Sequence, residues 1–165
     1  MTSRFAPPAS AAQFRQLLSG FASGVTVATA VDHAGRPYGM TASAVSAVSL
    51  EPPLLLVCVD HAADFHAILS RAERFALSVL AADQEHLSVR FAADRPDRFS
   101  GVPHTVQADG LPLVDGAAAH ITCRKWGAYE AGDHTIFIGQ VSDGRLYERK
   151  PLLHYRSGYT TVCDR

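Results

Sequence analysis

Two runs that read as strands, Ala118 to Glu130 and Thr135 to Val141, are separated only by the turn Ala131-Gly132-Asp133. So short a link can join antiparallel neighbours and nothing else, because a parallel pair needs a crossover of about a dozen residues. The same device recurs earlier in the chain. Val25, Val27 and Val31 are spaced as one face of a strand, and His33-Ala34-Gly35-Arg36 is a turn that returns the chain through Tyr38 to Val48. Leu54 to Val59 is a continuous apolar run after Pro52-Pro53, as expected of a strand buried on both faces.

Helical patterns are few. Ser10 is placed to cap a helix whose apolar positions Phe14, Leu17, Leu18 and Phe21 repeat at helical spacing. A second helix is expected over 64–70. After a strand from Phe75 to Leu80, a third is expected from a cap at Asp83 through Ala92, with Leu87 and Phe91 on its inner face. A short strand near His104 to Ala108, a turn at Gly110-Leu111-Pro112 and a closing segment from Pro151 to Val162 complete the reading. The result is six to eight strands and two or three helices with little β-α-β alternation. The fold class is mainly β, with an antiparallel sheet that must close or cover its edges, and a small Greek-key barrel satisfies that demand. Residues 1–9 read as a loose tail and 10–165 as one domain, which 165 residues can supply with a core of its own.

Charge and cysteine usage exclude several classes. Fifteen basic and sixteen acidic residues, in no block of one sign, argue against a nucleic-acid or anionic-membrane partner. Cys58, Cys123 and Cys163 form no C-x-x-C pair, so neither a disulfide framework nor a zinc site is expected. The longest apolar run, Pro52 to Val59, is far below the ~20 residues of a membrane helix. No secretory pattern is seen at the start, and a cytoplasmic protein is expected. The Gly-rich nucleotide motifs, the H-E-x-x-H zinc motif and the G-x-S-x-G elbow are missing.

Two stretches remain as candidates for chemistry. Gly39-Met40-Thr41-Ala42-Ser43-Ala44-Val45-Ser46-Ala47-Val48-Ser49 is full of small side chains and hydroxyls. Its backbone can approach a planar or anionic ligand closely and offer N–H and O–H donors; equally, it can be an edge strand whose hydroxyls face water. In Ala131-Gly132-Asp133-His134-Thr135-Ile136-Phe137-Ile138-Gly139, the turn puts an imidazole at the first residue of a strand. There it either holds a cofactor or donates a proton, or is a solvated surface residue.

Taken with Phe21-Ala22-Ser23-Gly24-Val25-Thr26-Val27, Val48-Ser49-Leu50-Glu51-Pro52-Pro53-Leu54, Phe75-Ala76-Leu77-Ser78-Val79-Leu80 and Pro151-Leu152-Leu153, these stretches resemble the short-chain flavin reductases, the small components of two-component flavin-dependent monooxygenases. The resemblance runs from about Phe14 to Tyr159. It implies an FMN-binding split barrel, a homodimer, in which NADH or NADPH reduces FMN or FAD and the reduced flavin diffuses to a separate monooxygenase. A second reading of the same fold is a protein that holds FMN tightly as an electron carrier or oxidase.

By the same resemblance Thr41, Ala42, Ser43, Ala44, Val45, Ala47 and Val48 line the flavin, Cys58, Val59 and Asp60 lie beside it, and Phe91 reaches the far end of the pocket. His134 matches the histidine of the family's glycine-aspartate-histidine turn and is expected near the nicotinamide. Tyr155 and Tyr159 either stack on a ring or pack the core or a dimer, and Arg149 and Lys150 either meet a pyrophosphate or are solvated charges. The sequence departs from the family's pattern at Ser43 and Ser78, often asparagine, at Ala47, often serine, and at Ala63 and Asp64, often Ser, Thr or Lys. An aspartate at 64 is expected to repel a phosphate.

Overall fold

The computed structural model describes residues 7–95 and 97–163; most of the expected tail, residues 1–6, lies outside them. In chain order the elements are α1 (Ala11–Ser19), β1 (Ser23–Gly24), β2 (Thr26–Val31), β3 (Pro37–Ala42), β4 (Val45–Leu50), β5 (Pro53–Asp60), α2 (Asp64–Arg71), β6 (Arg74–Val79), α3 (Glu85–Ala92), β7 (His104–Val106), β8 (Pro112–Val114), β9 (Ala119–Ala131), β10 (His134–Leu146), β11 (Leu152–Tyr155) and β12 (Gly158–Thr161).

Seven strands form one antiparallel sheet in the order β3-β2-β6-β9-β10-β5-β4. Its two edge strands, β3 and β4, are consecutive in sequence and joined only by Ser43 and Ala44. Two linking residues span roughly 10 Å at most, so the sheet must curl until its edges nearly meet. This is a barrel split along one seam. The expected single strand from Tyr38 to Val48 is thus two strands on either side of the opening. β1, β11 and β12 form a small second sheet, and β7 with β8 a hairpin.

Side-chain alternation sorts the strands between two cores. Ala28, Ala30, Leu55, Val57, Val59, Phe75, Leu77 and Phe137 point inside the curl, where Phe65 and Leu69 of α2 plug it. The opposite face of β2 is also covered, because Val25 and Val27 pack with Leu87 and Phe91 of α3 and with Phe99, Val102 and Val114. That is why β2 is buried on both faces although its pattern reads as one-sided. The reverse holds for β5. Leu55, Val57 and Val59 are fully enclosed, while Leu56 and Cys58 on the other face are only half-buried.

The helices differ from expectation in two ways. Ser10 does cap α1, accepting from the Gln13 amide at 3.2 Å, but α1 buries none of its residues. Asp83 does not cap α3. Gln84 occupies the cap position, and the Asp83 carboxylate instead accepts two bonds from Arg149, at 2.6 and 2.8 Å. β10 runs to Leu146, five residues past the expected Val141, with register shifts that let it follow the curl.

Candidate functional site

The seam between β3 and β4 opens onto a cleft of about 690 Å³. One wall is the link and the start of β4, at Ser43, Ala44, Val45 and Ser46. The floor is Leu56 and Cys58 of β5, and the far side is His154 of β11 with Ser23 and Gly24 of β1. Phe14, Leu18 and Phe21 overhang it. The link is drawn onto the floor by the Cys58 amide, which donates to the Ala44 carbonyl at 3.0 Å.

The predicted residues divide between this cleft and its supports. Ser43, Ala44, Val45 and Cys58 line it. Thr41 faces α3, its hydroxyl donating to the Ser88 carbonyl at 2.6 Å, and shares with Ser43 and His154 a smaller hollow of about 150 Å³. Ala42 and Val59 alternate into the core rather than toward the cleft. Phe91 is likewise fully enclosed, edge-to-face on Phe99. Ala47 and Val48 lie farther along the exposed edge strand β4 and do not border the cleft. Asp60 ends β5, its carboxylate accepting from the Ala62 amide. Tyr155 points away under the Arg156 guanidinium, and its neighbour His154 borders the cleft instead.

His134 opens β10 opposite Asp60. Two residues along a strand and one strand across put it about 8 Å from Cys58, outside the residues that line the cleft. Its Nδ1 lies 2.7 Å from Asp133 Oδ1. That hydrogen bond is the main reason the Asp133 carboxyl is held below the usual carboxylate range. Burial pushes the Cys58 thiol up, so it enters the cleft as a neutral thiol.

Sequence reasoning missed His154, Leu56, Ser46 and the overhanging apolar face of α1. A signal for Leu56 was present, since Cys58 and Leu56 share a parity along β5. None existed for His154, whose place depends on a second sheet that pairs residues 23–24 with 153–154.

The departures at 64 and 78 have local explanations. Asp64 does not stand as a bare charge, because the Arg98 guanidinium meets it at 2.7 Å and also donates to the Gly39 and Ala93 carbonyls. Ser78 is fully buried and accepts from the Val114 amide at 3.1 Å, fastening β8 to β6. Arg149 is engaged by Asp83, and Tyr159 packs at the core with its hydroxyl 2.8 Å from Ser88 Oγ.

The residues present fit a flavin. The cleft lies within the roughly 300–1,000 Å³ of small-molecule sites. Its wall of small residues leaves room for a planar ring. The Ser43 hydroxyl and the His154 ring make no hydrogen bond among the described residues, so both remain available to a ligand.

A curled antiparallel sheet, split at one seam with a small-residue cleft along it, defines a split barrel built to hold a planar ligand. The chain belongs to the flavin reductase like domain family, whose model matches residues 18–162. It is 37% identical over 151 residues to the flavin-dependent monooxygenase reductase subunit HsaB of Rhodococcus jostii, covering 91% of this chain and 77% of that one. It is 39% identical over 139 residues to the FMN reductase (NADH) SmoA of Agrobacterium fabrum, covering 84% and 79%. Among solved structures, the NADH:FAD oxidoreductase SgcE6 of Streptomyces globisporus, in complex with NAD and FAD fragments, superposes with a TM-score of 0.90 at 36% identity over 98% of both chains.

Proposed function

We propose that this protein is an NAD(P)H:flavin oxidoreductase that reduces FMN or FAD and supplies the reduced flavin to a separate monooxygenase. The cleft at the barrel seam carries the reading: a small-residue wall at Ser43 to Ser46 faces a floor of Leu56 and Cys58 and the imidazole of His154. The membership of the family supports it. Hydride transfer is chemistry that nicotinamide and flavin supply when bound. The chain's own work is placement. Ser43, Ala44 and Val45 form a wall without bulk beside a ring, Cys58 and Leu56 exclude water from beneath it, and His154 offers a ring nitrogen at the far edge. His134, at the start of β10 and one strand across from Asp60, orients the dinucleotide, with its Nδ1 held by Asp133.

The reading extends to a homodimer. α1 presents Phe14, Leu17 and Leu18 to solvent, Phe21 just past its end is exposed as well, and three of these four overhang the cleft, so a second copy seated there would cover the apolar face and close the site together. It also places the protein in the cytoplasm, where NAD(P)H is found. No helix among the described residues is long and apolar enough to cross a membrane. Tight retention of FMN as a carrier or oxidase is not favoured, because the relatives are named as reductases and reductase subunits.

The test is absorbance at 340 nm with NADH or NADPH and an excess of FMN or FAD. Oxidation that depends on added flavin is expected. Absence of it with both dinucleotides and both flavins overturns the reading.

A further inference from the structure

We infer that the Thr135 hydroxyl and the three side chains converging on it, His61, His66 and Glu130, are a positioning network that aims His134 at the dinucleotide. This deepens the reading of His134 given above and rests on it. Thr135 follows His134 at the start of β10 and is 2% exposed. A hydroxyl has one proton and two lone pairs, and this one uses all three. It donates to Glu130 Oε1 at 3.1 Å and is met by His66 Nε2 at 2.8 Å and His61 Nε2 at 3.1 Å. Both imidazoles therefore carry hydrogen on Nε2. The His61 Nε2 hydrogen is shared with Glu130 Oε2, 2.9 Å away.

The network ties together the parts of the chain that frame the turn. His66 comes from α2 and packs edge-to-face against the core ring of Phe137. His61 comes from the link after β5 and meets His66 edge-to-face at 5.0 Å. Glu130 comes from β9, directly across the ladder from Thr135. The turn itself has little to hold it: Gly132 has a left-handed φ of +69°, and the Asp133 side chain is 90% exposed. Besides the ladder pairs of His134 with Asp60 and Ala131, it is tied to the body of the protein by the His61 amide, which donates to the Asp133 carbonyl at 3.0 Å, and by the Thr135 cluster. His134 and Thr135 face Asp60 and Val59 as consecutive pairs, and His61 beyond Asp60 bonds Asp133 on the other side of His134, so a shift of the cluster is passed to His134 through its two chain neighbours. A valine would fill the same space without hydrogen bonds, so the buried hydroxyl is explained by the orientation it fixes and not by the volume it fills.

The experiment compares Thr135→Val, Thr135→Ser, Glu130→Ala and His134→Ala, singly, and Thr135→Val with His134→Ala together. Each is measured for the KM of NADH, for kcat, for flavin Kd and for thermal melting. Thr135→Val and Glu130→Ala are expected to raise the KM of NADH about 10-fold with flavin Kd unchanged. Thr135→Ser is expected to restore the parent value. In the His134→Ala background Thr135→Val is expected to add nothing, the signature of two groups acting as one. Should Thr135→Val fail to fold, Glu130→Ala decides, because that side chain is 75% exposed. Unchanged KM in Thr135→Val and Glu130→Ala beside a raised KM in His134→Ala overturns the network alone, as does simple additivity in the double variant. Unchanged kinetics in His134→Ala removes the reading beneath it.

Discussion

Three thiols in three environments show how much a single side chain's position decides. Cys123 is fully enclosed in the barrel, where burial pushes its thiol up to about 12. Cys58, half-buried on the cleft floor, is raised in the same direction by the same cause, and Cys163 is exposed. Only the thiolate is nucleophilic, so a raised pKa means less of the reactive form at neutral pH and a gain as pH climbs. Treatment with iodoacetamide followed by peptide mass mapping is expected to label Cys163 first, Cys58 slowly and faster as the pH is raised, and Cys123 last. Saturating FMN is expected to protect Cys58 and leave Cys163 unchanged. Equal labelling of Cys58 with and without flavin would remove it from the floor of the flavin site. At this scale the sequence was legible where side-chain parity could be counted. Cys58 and its neighbour Val59 were both expected beside a ligand, yet strand alternation sends one to the cleft and the other to the core. His154 was illegible, since its neighbours come from the opposite end of the chain.

Hairpin signals told most about the elements. The short turns at 33–36 and 131–133 set antiparallel pairings that the sheet reproduces, since a turn is local and its chemistry sits in a few residues. Long-range consequences were out of reach. The break at Ser43-Ala44 carries no proline or glycine; it exists because β3 and β4 must part to opposite edges of a curled sheet. Asp83 read as a helix cap until Arg149, 66 residues away, claimed its carboxylate. Gly139 in β10 shows what the curl demands of a strand. A Cβ there would lie against the Phe75 ring and 2.8 Å from the Cys123 Cβ, both locked in the core. Gly139→Ala is therefore expected to cost about 1–3 kcal/mol and to lower Tm by several degrees in a thermal melt. Gly24→Ala, whose added Cβ meets nothing within 4 Å, serves as the control with little change in Tm. Equal melting of the two variants would show that the barrel wall yields where its packing says it cannot.

At the scale of the whole molecule, the apolar side chains at and just after α1 stand outside the enclosed cores. Leu17 is 65% exposed, on a helix that is capped and formed yet buries nothing, and Phe21, two residues past its end, is 74% exposed. The periodicity that announced α1 is that of a helix with a partner, and among the described residues nothing buries its side chains. Such a stripe costs solubility unless something covers it, roughly 25 cal/mol for each Å² of apolar surface left in water. Its position over the cleft ties that cost to the proposed activity, because whatever covers Phe14, Leu18 and Phe21 also shields the site. A second copy of the chain satisfies both demands at once. Sedimentation velocity of the parent protein is expected to give twice the 17.7 kDa chain mass. Leu17→Glu combined with Phe21→Glu is expected to give a monomer whose melting stays cooperative, since neither residue belongs to a core, and whose flavin affinity falls with the loss of the covering subunit. A parent protein that sediments as a monomer, or a charged variant that remains a dimer with full flavin affinity, would detach α1 from the interface and leave its apolar face to another partner.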